Sequence, residues 1–267
     1  MSAHGQLPQD LDPDRPSGAR VYDFFLGGGS NFAVDRELGR RVLSVAPDMR
    51  LSALANRACL HRVIRMCLAQ GVRQFLDVGC GIPSIGPPHE LAQRLDPTAR
   101  VVYVDSEPVA VTHGELVLEG NPNTAIVQAD LRDIDGVLAA ADVRRLLDRD
   151  QPTAVLMFAV LHHVPDRDDP SALIRAYLES FAPGSFLALT HLTADHAPEI
   201  MRAVFDLLPT DPHPGKSRSR AELEALLTGL DLVDPGVVPI AQWRPERGDL
   251  DLQPTAPLGY AAVVRKP

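Results

Sequence analysis

With 267 residues, 45% of them hydrophobic, the chain is long enough for one large α/β domain with a sizeable core. Its formal charge of −9 argues against a nucleic-acid binder that works through a basic surface, and the skew of 24 arginines to two lysines reflects a GC-rich genome rather than a function. Cys59, Cys67 and Cys80 form neither a CxxC pair nor an even set, no basic leader precedes an apolar run, and no stretch of about 18 apolar residues occurs, so a cytoplasmic protein without a membrane segment is expected.

Residues 1–18 are polar and rich in Pro and Asp, and read as a mobile arm. Val34, Leu38, Val42 and Val45 recur at helical spacing until Pro47 stops the run. A second helix carries Leu60, Val63, Ile64, Cys67 and Leu68 on one face, with Gly71 past its end. Short apolar runs then alternate with helical segments: 74–78, 101–105, 125–130, 154–160 and 186–191. That alternation predicts a parallel sheet buried on both faces, a doubly wound α/β fold. In the helix at 170–182, Asp169 is the cap, Pro170 fits the first turn, and Leu173, Ile174, Tyr177, Leu178 and Phe181 form the stripe. Met201, Val204, Phe205 and Leu208 mark another helix, and "SRAE" at 219–222 is a capping box. The segments 230–240 and 258–267 close the sheet as an antiparallel hairpin, giving seven strands.

Two glycine clusters stand out, "VYDFFLGGGSNF" at 21–32 and "FLDVGCGIPSIG" at 75–86. In the second, Gly79 and Gly81 allow a sharp turn and close backbone approach to a ligand, with Cys80 between them as a small filler. A dinucleotide fingerprint would put its third glycine at Ser84, and Asp77, two residues before the first glycine, would repel phosphates. Asp77 suits a ligand that carries an ammonium group and no phosphate, such as S-adenosylmethionine (SAM), whose methionine tail is zwitterionic. Asp105, followed by Ser106, ends the second strand, where a carboxylate can accept both ribose hydroxyls. Asp130 ends the third, placed to accept from an adenine amino group, with the Leu131 N–H aimed at a ring nitrogen. Phe158 and Ala159 end the fourth, beside the reactive centre. All fall at carboxyl ends of parallel strands, where open α/β sheets bind ligands; the competing reading is that each Asp only caps the next helix.

"FLDVGCG", "VVYVDSEP", "QADLRD" and "VLMFAVLHHVPD" resemble the successive motifs of class I SAM-dependent methyltransferases, over roughly residues 70–265. "ARVYDFFLGGGSNFAVDRELG", "NRACLHR" (56–62), "GIP", "HELAQ" (89–93) and "WRP" (243–245) together resemble one subfamily, the S-adenosyl methyltransferases of high-GC bacteria long described as a domain of unknown function. Its A-R-x-Y-D-x-x-L-G-G-x-x-N stretch is filled by Ala19, Arg20, Tyr22, Asp23, Leu26, Gly27, Gly28 and Asn31; where the family tends to have Asn-x-His-Glu, this chain has Pro87-Pro88-His89-Glu90. The resemblance implies a seven-stranded Rossmann-like fold with SAM as cofactor, and an N-terminal helical cover (19–70) over a SAM-binding domain (71–267). In that arrangement the 79–81 loop holds the cofactor. "FFLGGGSNF" is either a movable cover whose Tyr22, Asp23 and Asn31 meet cofactor or substrate, or a turn between packed helices.

His162 and His163 follow the fourth strand, where a histidine could serve as a general base, although "LHHVPD" more often shapes that loop. Asp166, Asp168 and Asp169 read as solvated caps rather than a metal site. Trp243 either lines a substrate pocket or fills a hydrophobic gap. The function expected is methyl transfer from SAM to a small-molecule acceptor that the sequence does not name, with no residue assigned as catalyst. Aminopropyl transfer from decarboxylated SAM and non-catalytic binding of SAM or S-adenosylhomocysteine (SAH) are the alternatives.

Overall fold

The computed structural model describes residues 12, 14–208, 215–249 and 251–267. Three helices come first: α1 (Gly18–Leu26), α2 (Ala33–Val45) and α3 (Met49–Ala69). The alternating part follows as β1 (Gln74–Val78), α4 (Pro88–Leu95), β2 (Arg100–Asp105), α5 (Pro108–Leu118), β3 (Thr124–Gln128), α6 (Ile134–Ala139), α7 (Ala141–Leu146), β4 (Thr153–Met157), α8 (Pro170–Glu179), β5 (Phe186–Leu192) and α9 (Pro198–Leu207). It closes with α10 (Arg220–Leu226), β6 (Asp231–Leu232), β7 (Val238–Pro239) and β8 (Gly259–Arg265). Of the arm expected at 1–18, residues 1–11 and 13 lie outside the described residues. Its end is fastened: the Ser17 N–H donates to Asp35 Oδ1 at 3.0 Å, and Ser17 Oγ caps α1 by accepting from the Arg20 N–H.

The sheet runs β3-β2-β1-β4-β5-β8-β6, with β7 also on β8. All pairings from β3 to β5 are parallel; β8 lies antiparallel to β5, matching Phe186 with Arg265 and Leu192 with Gly259. The hairpin forms as expected, but its first arm is broken. β6 and β7 sit end to end along the same edge of β8, separated by the turn at Pro235-Gly236. Pro235 has no N–H to give to a ladder and Gly236 takes φ +80°, so pairing lapses between the two pieces.

Strand residues alternate between two cores. Phe75, Val101, Tyr103, Ala154, Leu156 and Ala188 meet Leu60, Val63, Ile64 and Cys67 of α3 on one face. Leu76, Val102, Val104, Val155, Met157 and Leu187 meet α6, α7, α8 and α10 on the other. The caps behave as their sequences indicate. Asp169 accepts from the Ala172 N–H at 3.0 Å, and Ser219 and Glu222 exchange their capping-box bonds. A third cluster joins Val21, Phe25 and Leu26 of α1 and Leu38 and Val42 of α2 to Met201 and Val204 of α9, on the carboxyl side of the sheet. Trp243 is fully buried against the α3 face, where it fills a hydrophobic gap.

Arg62 secures the last loop to α3. Its Nε donates to the Trp243 carbonyl at 2.7 Å, Nη2 to the Ile240 carbonyl at 3.0 Å, and Nη1 pairs with Asp249 at 2.6 Å. Removing such a side chain strands a carboxylate and two carbonyls, so Arg62→Ala should lower the unfolding free energy by about 3 kcal/mol. Urea unfolding would read this as a shift in midpoint; a loss under about 1 kcal/mol would mean that the loop is held by apolar packing alone.

Candidate active site

The order of strands reverses between β1 and β4, because the chain leaves β1 toward β2 and β3 and returns as β4 on the other side. The loops after β1 and β4 therefore part at their carboxyl ends and leave a crevice. Gly79 sits at its base with φ +72°; a Cβ there would fall 2.2 Å from Val160 Cγ2 of the β4 loop, so only glycine fits. The Gly79 and Cys80 N–H groups donate to the Val104 carbonyl, and the Gly81 N–H donates to Asp105 Oδ2 at 2.7 Å. Asp105 Oδ1 accepts from the Glu107 N–H at 2.9 Å. Each Asp105 oxygen thus holds one backbone bond and keeps a lone pair, while burial pushes its pKa up against the pull of those bonds. Ser106 beside it is exposed.

Asp77 is 4% exposed, and no hydrogen bond reaches its carboxylate among the described residues. Burial raises its pKa to about 7; the Arg57 charge opposes the rise and the Asp105 charge adds to it. On the opposite wall, β4 ends at Met157 rather than Val160. Ala159 adopts φ +52°, a left-handed conformation uncommon for a residue with a side chain, and its N–H donates to Thr190 Oγ1 of β5 at 2.8 Å. That turn ends the strand early; Phe158 packs into the core on the α3 face, and Ala159 is half-buried at the strand end.

Asp130 lies two residues past β3, about half exposed, and its carboxylate is gripped by Arg132 through Nε and Nη2 at 2.6–3.1 Å. Arg132 Nη1 also reaches Asp168 at 3.0 Å. Asp130 therefore belongs to an ion-pair chain. The Leu131 carbonyl accepts from the Tyr177 hydroxyl at 2.9 Å. Asp166 of that loop is paired as well: it binds Lys216 and the buried Arg218, which hold its pKa down at about 2.

The first glycine cluster is organised by two acids. Asp35 accepts from Arg20 Nε (2.6 Å), the Phe32 N–H (2.7 Å) and the Ser17 N–H (3.0 Å); both members of the Arg20–Asp35 pair are buried. Asp23 Oδ2 accepts from the Ser30 N–H at 2.8 Å and from Asn31 Nδ2 at 2.7 Å. Asn31 Nδ2 also reaches the Gly28 carbonyl, and its Oδ1 accepts from Arg36. The Asn31 amide is thus engaged by its own loop and by the first turn of α2. A Cβ on Gly28 would fall 2.0 Å from Asp23 Oδ1, so the loop closes tightly over that carboxylate. Ser84, after the second glycine turn, donates to Asp23 Oδ1 and joins the two clusters. Tyr22 turns the other way: its hydroxyl accepts from Asn56 Nδ2 at 2.8 Å, and Asp77 is among the charges acting on it.

The sequence assigns no site role to Asn56, Arg57 or Ser84, the last read only as the residue that breaks a dinucleotide fingerprint. Asn56 Oδ1 and Arg57 Nε are buried with no hydrogen-bond partner among the described residues. On the β4 side, His191 Nδ1 lies 2.8 Å from the Leu192 carbonyl, so it carries the proton, and Nε2 accepts from Arg218 Nη1 at 2.7 Å. Burial drives the His191 pKa down to about 4 and that of His162 well below its usual value, so both rings are neutral at pH 7. His163 is exposed, with its ring centroid 4.0 Å from that of His162. Among the described residues no helix is long and apolar enough to cross a membrane.

The family model for S-adenosyl methyltransferases matches residues 4–267. Among solved structures, a DUF574 family protein from Streptomyces avermitilis is 35% identical with a TM-score of 0.87, covering 94% of this chain and 98% of that one. A protein from Thermobifida fusca, provisionally described as a methyltransferase, is 37% identical with the same TM-score, covering 97% and 98%. The plantazolicin methyltransferase BpumL in complex with SAH shares the fold at 13% identity and a TM-score of 0.56, covering 93% and 95%. Among curated proteins none matches. With a crevice at the strand-order reversal and a family match over nearly its whole length, this chain belongs to the S-adenosyl methyltransferase family and is a SAM-dependent methyltransferase.

Proposed function

We propose that the chain methylates a small-molecule acceptor, with SAM in the crevice between the β1 and β4 loops. The observation that carries this reading is the meeting there of a buried acid, Asp77, without a hydrogen-bond partner among the described residues, with a glycine turn whose end is tied to Asp105. The donor set fits the cofactor. Gly79 and Gly81 leave room for close approach, Asp105 retains lone pairs for two ribose hydroxyls, and Asp77 complements an ammonium. Ser106 lies beside the ribose position, Cys80 lines the turn, and Phe158 and Ala159 flank the sulfur end. Asp130 and the Leu131 N–H face the adenine; with its carboxylate held by Arg132, Asp130 would act there as part of an ion pair. When bound, SAM supplies an activated methyl group on a sulfonium.

The chain's own residues position the reactants. Enzymes of this type gain much of their rate from holding the acceptor in line with the methyl group and from keeping water out. Residues 19–70 supply the cover over domain 71–267. Tyr22 faces the cofactor, while Asp23 and Asn31 shape the loop behind it. The unpaired cysteines suit a reducing cytoplasm, and the likeness to bacterial proteins suits a bacterial source.

Incubation with methyl-labelled SAM and a metabolite extract should yield a labelled small molecule, and calorimetry should detect SAH but not NAD. NAD binding without SAH binding would overturn the placement of the cofactor. Asp105→Ala should weaken SAH about 10- to 150-fold, because two hydroxyls lose a charged acceptor and Gly81 loses its anchor. An unchanged dissociation constant would remove Asp105 from the site.

Asp77 makes a prediction in pH. The native carboxyl holds a proton between about pH 4 and 7 that the unfolded chain has released. Its cost to stability is therefore absent near pH 4, grows as pH rises through about 7, and is constant above. Asp77→Asn should raise the ligand-free melting temperature at pH 8, leave it nearly unchanged near pH 4, and weaken SAH binding. An equal shift in melting temperature at both pH values would show that Asp77 is not buried in its charged form.

A further inference from the structure

Helix α3 brings two consecutive polar residues, Asn56 and Arg57, to the neighbourhood of Tyr22 and Asp77. Arg57 lies with its Cζ 5.9 Å from the Tyr22 ring centroid, and its Cγ would be 3.8 Å from a Cβ on Gly86 in the loop after β1. Its Nε–H is buried and has no acceptor among the described residues. The orientation of Asn56 is fixed by Tyr22: that hydroxyl points its one proton at the Ala53 carbonyl, 3.4 Å away, and so accepts from Asn56 Nδ2. Asn56 Oδ1 is left as a buried acceptor with no donor among the described residues. A buried polar group without a partner is costly in a folded protein, and here one such donor and one such acceptor sit side by side on α3, near the buried Asp77. The charge of Arg57 acts on both Tyr22 and Asp77, so the guanidinium lies near both.

A guanidinium near a carboxylate and an amide oxygen is complementary to a zwitterionic amino acid, and one end of SAM is such a group. We propose that Arg57 binds the carboxylate of the cofactor's amino-acid end, while Asn56 Oδ1, together with Asp77, binds its ammonium. The inference rests on the placement of SAM in the β1–β4 crevice and assigns a role to α3 that the glycine motifs do not. Tyr22 positions Asn56, and the N-terminal helices thereby take part in selecting the intact amino-acid end of the ligand.

Three probes separate the contacts. SAH carries both groups, its decarboxylated analogue carries only the ammonium, and 5′-methylthioadenosine carries neither. Calorimetry on the full chain should show wild type binding SAH more tightly than the decarboxylated analogue, and that more tightly than 5′-methylthioadenosine. Arg57→Gln should weaken SAH about 10- to 100-fold, in the range of a lost charge-assisted hydrogen bond, and leave the other two within about twofold. Asn56→Ala should weaken SAH and the decarboxylated analogue alike and spare 5′-methylthioadenosine, whose binding also reports an intact fold. If Arg57→Gln does not fold, Arg57→Lys serves: it keeps the cation, loses the Nε donor, and should narrow the gap between SAH and its decarboxylated analogue. Equal binding of SAH and the decarboxylated analogue by wild type would overturn the role of Arg57, as would equal losses across the three probes in either Arg57 variant. Binding of none of the three by wild type would overturn the placement of the cofactor, and this inference with it.

Discussion

The site depends on a close passage between the loop after β1 and the loop after β4, at Gly79 and Val160. Strand reversal forces these two segments apart above the sheet, yet at its edge they touch so closely that a single methyl group would not fit. The chain can leave β1 there only in a left-handed turn, which swings Cys80 and Gly81 toward β2 and delivers the Gly81 N–H to Asp105. On the other wall Ala159 is strained in the same sense and held by Thr190 of β5. The ends of four adjacent strands are thereby coupled around one crevice, each through a backbone group rather than a long side chain. Geometry of this kind is rigid without needing a ligand to order it.

The two glycine clusters solve different problems. In the second, glycine makes room for a neighbouring strand and a ligand. In the first, glycine lets a loop fold down on Asp23, so that a buried carboxylate has N–H donors on hand. The bond from Ser84 to Asp23 then ties the first loop to the second. A buried acid that organises a loop and one left without a hydrogen bond have opposite consequences: the first stabilises the fold, and the second costs stability until a cation arrives. Asp23 and Asp77 are those two cases, linked through the Ser84 loop.

Much of this was legible in the sequence. The apolar runs named β1 to β5 because strands buried on both faces leave no other pattern, and Asp77 and Asp105 were recognisable because an acid at the end of such a strand has a ligand or a cap to serve. Asn56 and Arg57 were not, although "NRACLHR" belongs to the family-like stretches. Helix α3 was read from its apolar stripe, and its polar side looks in sequence like any solvated face; only the fold shows that it comes close to Asp77. Asp130 illustrates a related limit. Its position marked it for a ligand, but a short Asp-x-Arg spacing also allows the bidentate pair that Arg132 makes, and sequence alone does not weigh the two. The break between β6 and β7 followed from Pro235 and Gly236, which the alternation of hydrophobic residues masks.

The place of β8 in the sheet bears on how the chain is made. This strand lies between β5 and the β6–β7 edge, yet it follows all of them in sequence. While the polypeptide emerges from the ribosome, residues 186–192 have β4 on one side and nothing on the other until residue 259 and those after it are synthesised. For that interval β5, an apolar strand with the sequence FLALTHL, presents an open edge of the kind that recruits other chains. β6 and β7 do not cover it, because among the described residues their partner in the sheet is β8 itself. Completion of the sheet is therefore a late, long-range event, and premature termination before residue 259 would leave not a shortened enzyme but a sticky one.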